Sequence, residues 1–218
     1  MTIKALLFDF WGTIVENGVF PSPIRQVRRA LRNEEDFSDF VQRFEKEFML
    51  KTYQDLYEAF TAVCQAFSIE PDKELLDYLV GLWNRNKLFA KPYIETKPVL
   101  EGLKANFQLV LVANSDCFSV SEVMEKYGLN ETFDHVLLSH EVGHLKTDPQ
   151  MWDIVLEKTG CEKEEVMMVG DSIESDMAPA SNAGMSAVLV DRRDRREYPD
   201  KVRNLKELSN YLSTMQTQ

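Results

Sequence analysis

The chain opens with a short apolar run, Ile3 to Phe8, that stops at Asp9 and is followed by Gly12. A run of this length, bounded by a turn residue, predicts a buried strand that delivers Asp9 at its carboxyl end. Between Pro21 and Leu88 the period becomes helical. Phe37, Phe40, Phe44 and Phe48 form one stripe, Leu56, Phe60, Val63 and Phe67 a second, and Leu75, Leu79 and Leu82 a third. Pro21 and Pro23 fit a helix start, Pro71-Asp72 another, and Lys91-Pro92 a helix stop, so four helices are predicted. The phenylalanine stripe reads as bundle core rather than as a ligand pocket.

After Pro98 the pattern alternates. A helix over Val99 to Asn106 leads to a strand, Phe107 to Ala113, that ends in Asn114-Ser115-Asp116. Further strands are predicted at His135–Leu138, Val166–Val169 and Ala187–Val190, with helices at Phe118–Tyr127, Pro149–Thr159 and Ser175–Asn182 between them. Strands separated by helices of this length imply a parallel sheet with right-handed crossovers, which binds ligands beyond its strand carboxyl ends. The expected fold class is therefore α/β, a Rossmann-like parallel-sheet core (residues 1–16 and 94–218) with an inserted all-helical, four-helix cap domain (residues 17–93). The Asp191–Asp200 run carries four Arg and four acidic residues, sums to zero, and is expected to be a solvated loop.

Composition supports a packed protein. With 44% hydrophobic residues and only 9 Gly and 8 Pro in 218 residues, neither disorder nor fibrous structure fits. Acidic residues outnumber basic ones 36 to 25, a net charge of −11 that argues against a nucleic-acid partner. No apolar run approaches the roughly 20 residues of a membrane span, and the start lacks a signal-peptide core, so a cytoplasmic protein is expected. Three separated cysteines, Cys64, Cys117 and Cys161, form no CxxC pair. Monomer and homodimer stay open.

Four polar clusters stand at strand ends or helix starts: Asp9-Phe10-Trp11-Gly12-Thr13, Asn114-Ser115-Asp116, Lys146 before a helix, and Gly170-Asp171-Ser172-Ile173-Glu174-Ser175-Asp176. In this order they resemble the four motifs of the haloacid dehalogenase (HAD) superfamily, over essentially the whole chain. The resemblance implies a C1-type helical cap that closes over the site and selects a small-molecule substrate. It assigns Asp9 as nucleophile, Ser115 as hydroxyl donor to a substrate oxygen and Lys146 as the cation that neutralises developing charge. The backbone of Phe10 and Trp11, the Gly12 turn and Asn114 would meet the substrate, with Thr13 bracing the turn. Mg²⁺ would be held by Asp9, Asp171 and the Trp11 carbonyl, with Asp176 further out. Lys146-Thr147-Asp148-Pro149 departs from the commoner Lys-Pro-Asp-Pro of this family, although the order Lys, Asp, Pro survives.

One departure bears on the reaction. HAD phosphatases carry a second Asp two residues after the nucleophile, to protonate the leaving group and later activate water; here that residue is Trp11, whose indole can do neither. Haloacid dehalogenases have an aromatic residue there, yet lack the full acidic fourth motif, and Asp171 and Asp176 are both present. Weighted toward the acids, the expected activity is Mg²⁺-dependent hydrolysis of a small phosphorylated metabolite through an aspartyl-phosphate on Asp9. A carbon–halogen hydrolase is the alternative, and a catalytically weak metabolite binder the second. Without an acid at position 11, aryl and acyl phosphates should turn over faster than alkyl phosphates. Glu16 and His144 are candidate replacement acids, and Lys51, Tyr53, Arg85 and Lys87 candidate cap contacts to substrate.

Overall fold

A computed structural model of the chain describes residues 2–215. Strand β1 (Ala5–Phe8) is buried at every position, because it lies between two parallel neighbours with helices over both faces. Its side chains alternate: Leu6 and Phe8 join one core cluster, Ala5 and Leu7 another.

The chain leaves β1 through a short antiparallel ribbon, β2 (Val15–Glu16) against β3 (Lys91–Pro92). Between those two strands run α1 (Pro23–Ala30), α2 (Phe37–Phe48), α3 (Leu56–Ala66) and α4 (Lys73–Phe89). Asp36, Asp55 and Asp72 cap the last three, accepting from the backbone N–H of Ser38, Glu58 and Leu75; each cap is worth about 1 kcal/mol. The helices bury their own core, in which Phe40, Phe44, Phe48, Phe60 and Trp83 pack in stacked, tilted and edge-on pairs with ring centroids 4.9–6.0 Å apart. Lys91-Pro92, expected only to stop a helix, also pairs back to the exit strand, so the insert leaves and returns through one two-stranded neck.

Beyond the neck come α5 (Thr96–Lys104), β4 (Gln108–Ala113), α6 (Val120–Tyr127), β5 (His135–Leu138), α7 (Ser139–Val142), α8 (Pro149–Thr159), β6 (Val166–Gly170), α9 (Ala178–Asn182), β7 (Ser186–Val190), β8 (Lys201–Val202) and α10 (Leu205–Met215). Among the described residues, six parallel strands form one sheet in the order β5-β4-β1-β6-β7-β8. Sequence patterning missed β2, α7, β8 and α10. It also predicted a plain helix over Ser175–Asn182, whereas the segment opens as a single π turn at Ile173–Met177 and only then becomes α9.

The strand order reverses at β1, since the chain goes outward to β4 and β5 and then returns to β6, β7 and β8 on the other side. Such a switch point splays the loops apart and opens a crevice at the carboxyl ends of the strands. Register places Phe8 beside Leu111 and Val169, so the residues just past β1, β4 and β6 converge: Asp9, Asn114 and Asp171.

Candidate active site

Asp9 leaves β1 with its N–H bonded to the Val169 carbonyl, and Thr13 Oγ1 donates to Asp9 Oδ2 at 3.1 Å. The loop between them folds tightly. The Phe10 carbonyl accepts from both Ile14 and Val15, and the Gly12 N–H donates to Val15 O at 2.7 Å. That bond withdraws the Gly12 N–H from any substrate, which corrects the expectation that it would cradle one. The N–H groups of Phe10 and Trp11 donate to no acceptor among the described residues. The Phe10 ring is fully buried in the core with Trp11 edge-on against it (centroids 4.9 Å apart), so only its backbone can meet a ligand.

Gly12 has φ +83°, and a Cβ there would lie 2.2 Å from Asp171 Oδ2. A Cβ on Gly170 would lie 2.3 Å from Asp176 Oδ2. Both glycines are therefore needed where a carboxylate packs against the backbone. The π turn brings Asp176 back over Gly170, and Ser172 N–H donates to its Oδ2 at 3.0 Å.

Lys146 completes the cluster. Its backbone N–H donates to Asn114 Oδ1 at 2.9 Å, and a turn closed by Asp148 Oδ2 accepting from Leu145 N–H holds the preceding residue. Its ammonium donates to Asp9 Oδ1 at 2.6 Å and to Asp176 Oδ1 at 2.5 Å, in a 2% exposed position. Burial alone would lower its pKa, but the charges and hydrogen bonds of Asp176 and Asp9 outweigh it and hold the pKa above the ordinary lysine value.

Carboxylate oxygens of Asp9, Asp171 and Asp176 all lie within 4.8 Å of one another. Burial raises the pKa of Asp176 to about 6 against the pull of Lys146. Asp171 is pushed well above the usual range, first by burial and then by the charges of Asp9 and Asp176. No described side chain or N–H donates to the Asp171 carboxylate, and none donates to the Trp11 carbonyl. With all three acids ionised, the one ammonium would leave a net charge of −2, a repulsion that adds to burial in raising these pKa values. Hard oxygen donors in that arrangement suit a divalent cation such as Mg²⁺, with Asp9, Asp171 and the Trp11 carbonyl as the groups left to hold it.

Other expected residues are placed differently. The Ser115 hydroxyl is buried and donates to the Asp116 carbonyl at 2.8 Å, a bond it must give up to serve a substrate. Asn114 is committed on both sides, to Lys146 N–H and, through Nδ2, to Glu45 Oε2 at 2.8 Å. Glu16 is exposed on the neck opposite Lys91, and His144 lies 4.0 Å from Asp148, so neither joins the cluster. Lys51 and Tyr53 are tied to Glu47, Lys87 pairs with Glu122 of α6, and Arg85 is exposed. None of these four joins the cluster either.

The Asp191–Asp200 segment is not the solvated loop that its charge balance implied. Arg192 donates to the Gly12 and Thr13 carbonyls at 3.1 and 2.6 Å, pairs with Glu95 at 2.7 Å and lies over the Tyr93 ring. Arg196 donates to the Asp171 carbonyl, and buried Asp191 accepts from the Arg195 and Arg196 N–H groups at 2.7 Å. The segment thus braces the two loops that carry Asp9 and Asp171.

The insert docks onto this crevice. Trp83 Nε1 donates to Asp116 Oδ2 and Ser119 Oγ at 3.1 Å, and Ser139 Oγ donates to the Met49 carbonyl at 2.6 Å. Glu45, a residue that patterning did not single out, is its carboxylate on the site. No described helix is long and apolar enough to cross a membrane.

Comparison with known proteins places this geometry. The glyceraldehyde 3-phosphate phosphatase of Methanothermobacter thermautotrophicus is 34% identical over 122 residues, 55% of this chain and 54% of that protein. The chain thus matches only about half the length of that relative. The enzyme of the same name from Methanopyrus kandleri is 27% identical over 199 residues, 87% of this chain and 84% of that protein. A solved HAD phosphatase from Thermococcus onnurineus superposes with a TM-score of 0.65 at 27% identity, covering 96% of this chain and 98% of its own. A family model for haloacid dehalogenase-like hydrolases matches residues 3–184, and with the acids gathered at the ends of β1 and β6, the chain belongs to the haloacid dehalogenase-like hydrolase family.

Proposed function

We propose that the chain hydrolyses phosphate monoesters of small metabolites, with Asp9 as nucleophile and Mg²⁺ as the resident cation. The observation that carries this reading is the convergence of Asp9, Asp171 and Asp176 within 4.8 Å around a single lysine. Displacement of a halide has no use for so much negative charge, whereas a cation-assisted phosphoryl transfer does. Relatives carrying phosphatase names support it.

In this reading Asp9 attacks phosphorus, the bond to the leaving oxygen breaks, and an aspartyl-phosphate forms that water then hydrolyses. Thr13 and Lys146 hold the two Asp9 oxygens apart in orientation, so the attacking lone pair is fixed before substrate arrives. The unpaired N–H groups of Phe10 and Trp11 receive phosphoryl oxygens. When bound, the cation supplies Lewis-acid stabilisation of charge on the transferring group. Residues 17–93 act as a cap over a core of residues 1–16 and 94–218, excluding water and selecting small substrates.

Carbon–halogen hydrolysis is the second reading, favoured by the absence of a carboxyl at position 11. One assay separates them: phosphate release from an aryl phosphate and halide release from a 2-haloacid, each with Mg²⁺ and with chelator. Chelator-sensitive phosphate release is expected; chelator-insensitive halide release would overturn the proposal.

A further inference from the structure

Glu45 is the one acidic group that the helical insert extends to the cluster among the described residues. It sits on α2 between Phe44 and Phe48, whose rings are stacked 5.1 Å apart in the cap core. Phe40, Phe44 and Phe48 lie in the cap core, while the Glu45 carboxylate meets Asn114 of the α/β core. The Ser139 hydroxyl pins the Met49 carbonyl at 2.6 Å.

The carboxyl is nine-tenths buried, yet it pairs with no cation. Oε2 accepts from Asn114 at 2.8 Å, and Oε1 accepts from no described donor. A structural carboxylate at this depth would need a partner charge. The nearby ammonium, Lys146, is already divided between Asp9 and Asp176. Burial pushes the Glu45 pKa to about 7, the charges of Asp176 and Asp9 push the same way, and Lys146 and the Asn114 hydrogen bond oppose them. A proton therefore resides there for a large fraction of the time near neutrality, as a general acid requires.

We propose that Glu45 is the acid–base group for the leaving oxygen, delivered by the cap in place of the carboxyl that Trp11 cannot supply. This rests on the phosphomonoester reading above. As Asp9 forms its bond to phosphorus, the P–O bond to the leaving alcohol breaks, its electron pair stays on that oxygen, and the Glu45 proton moves onto it. In the second step the Glu45 carboxylate takes a proton from the attacking water, the new P–O bond forms, and the P–O bond to Asp9 breaks with its electron pair returning to Asp9. Glu45 ends protonated and Asp9 ionised, as they began. Because the acid rides on the insert, protonation is available only while the cap is docked, and alkyl esters need not lag in the natural protein.

The test is Glu45→Gln, which preserves size and the Asn114 hydrogen bond, assayed as kcat/KM over a series of aryl and alkyl phosphates across pH. Alkyl phosphate turnover should fall by about 10² to 10⁴. A nitrophenyl ester should change only a few-fold, and the alkaline-side decline of the wild-type rate on alkyl phosphates should vanish. Equal losses on both ester classes, or a persisting decline, would overturn the assignment. Titration of the Glu45 carboxyl by ¹³C NMR in the natural protein is independent of turnover, and a midpoint in the ordinary glutamate range would also overturn it. If the natural protein releases phosphate from no ester, the phosphatase reading fails; if it does and Glu45→Gln behaves alike, only the role of Glu45 fails.

Discussion

The Lys146 ammonium lies 2.6 Å from the Asp9 carboxylate, across 137 residues of sequence, and reaches Asp176 with its remaining geometry. One side chain thereby joins the loops after β1 and β6. Lys146→Met strands two buried acids and should cost about 3–5 kcal/mol in urea unfolding, with activity abolished. Lys146→Arg should not rescue, because a planar fork cannot replace a point charge in that space.

Removing one acid should have opposite effects on stability and on metal binding. In chelator, Asp171→Asn relieves repulsion among three converging carboxylates and should raise the melting temperature by a few degrees. Titration with Mg²⁺ should stabilise the natural protein and leave the variant nearly unmoved. A variant stabilised by Mg²⁺ as much as the natural protein would show that Asp171 is not a ligand.

Gly12→Ala places a methyl 2.2 Å from Asp171 Oδ2 at φ +83°. Backbone strain of this kind costs about 1–3 kcal/mol. The displaced carboxylate should weaken Mg²⁺ affinity at least tenfold by calorimetry.

Arg192→Ala removes four contacts on the Asp9 loop and its flank, to Gly12, Thr13, Glu95 and the Tyr93 ring. The loop loses its brace while the fold stays intact. The expected outcome is a tenfold or larger fall in kcat with an unchanged circular dichroism spectrum.

Glu45 ties stability to pH. Its folded pKa of about 7 exceeds the ordinary 4.5, so the folded state binds the extra proton between those values and stability declines as pH rises through them. The penalty is complete above about pH 7 and amounts to up to about 3 kcal/mol. Glu45→Gln should thus be more stable than the natural chain at pH 8 and indistinguishable at pH 4. Subtracting the two urea-unfolding curves removes the contribution of Asp176, which titrates in the same window.

Local pattern sufficed for the frame. Residues Ala5–Phe8, 109–113 and Val166–Gly170 are each buried on both faces, so their apolar continuity marks strands in any context. The phenylalanine and leucine stripes likewise record one buried helix face each. Short-range periodicity puts Asp9, Asn114 and Asp171 past strand ends, and it is the resemblance of the four clusters, in order, to the HAD motifs that lets them be read as a site.

Only the folded chain decided which charges meet. Glu45 stands beside Lys46 and Glu47 and looks like a solvated helix face, and Asp191–Asp200 sums to zero; both are engaged because distant surfaces dock on them. β2 and β3, two residues each, are too short for any period to show. The π turn at Ile173–Met177 exists to return Asp176 to Lys146, an ion pair formed across 30 residues. Hydrophobic period is a property of neighbours in sequence, whereas the protonation and partners of a buried carboxyl depend on the field of every group that folding brings around it.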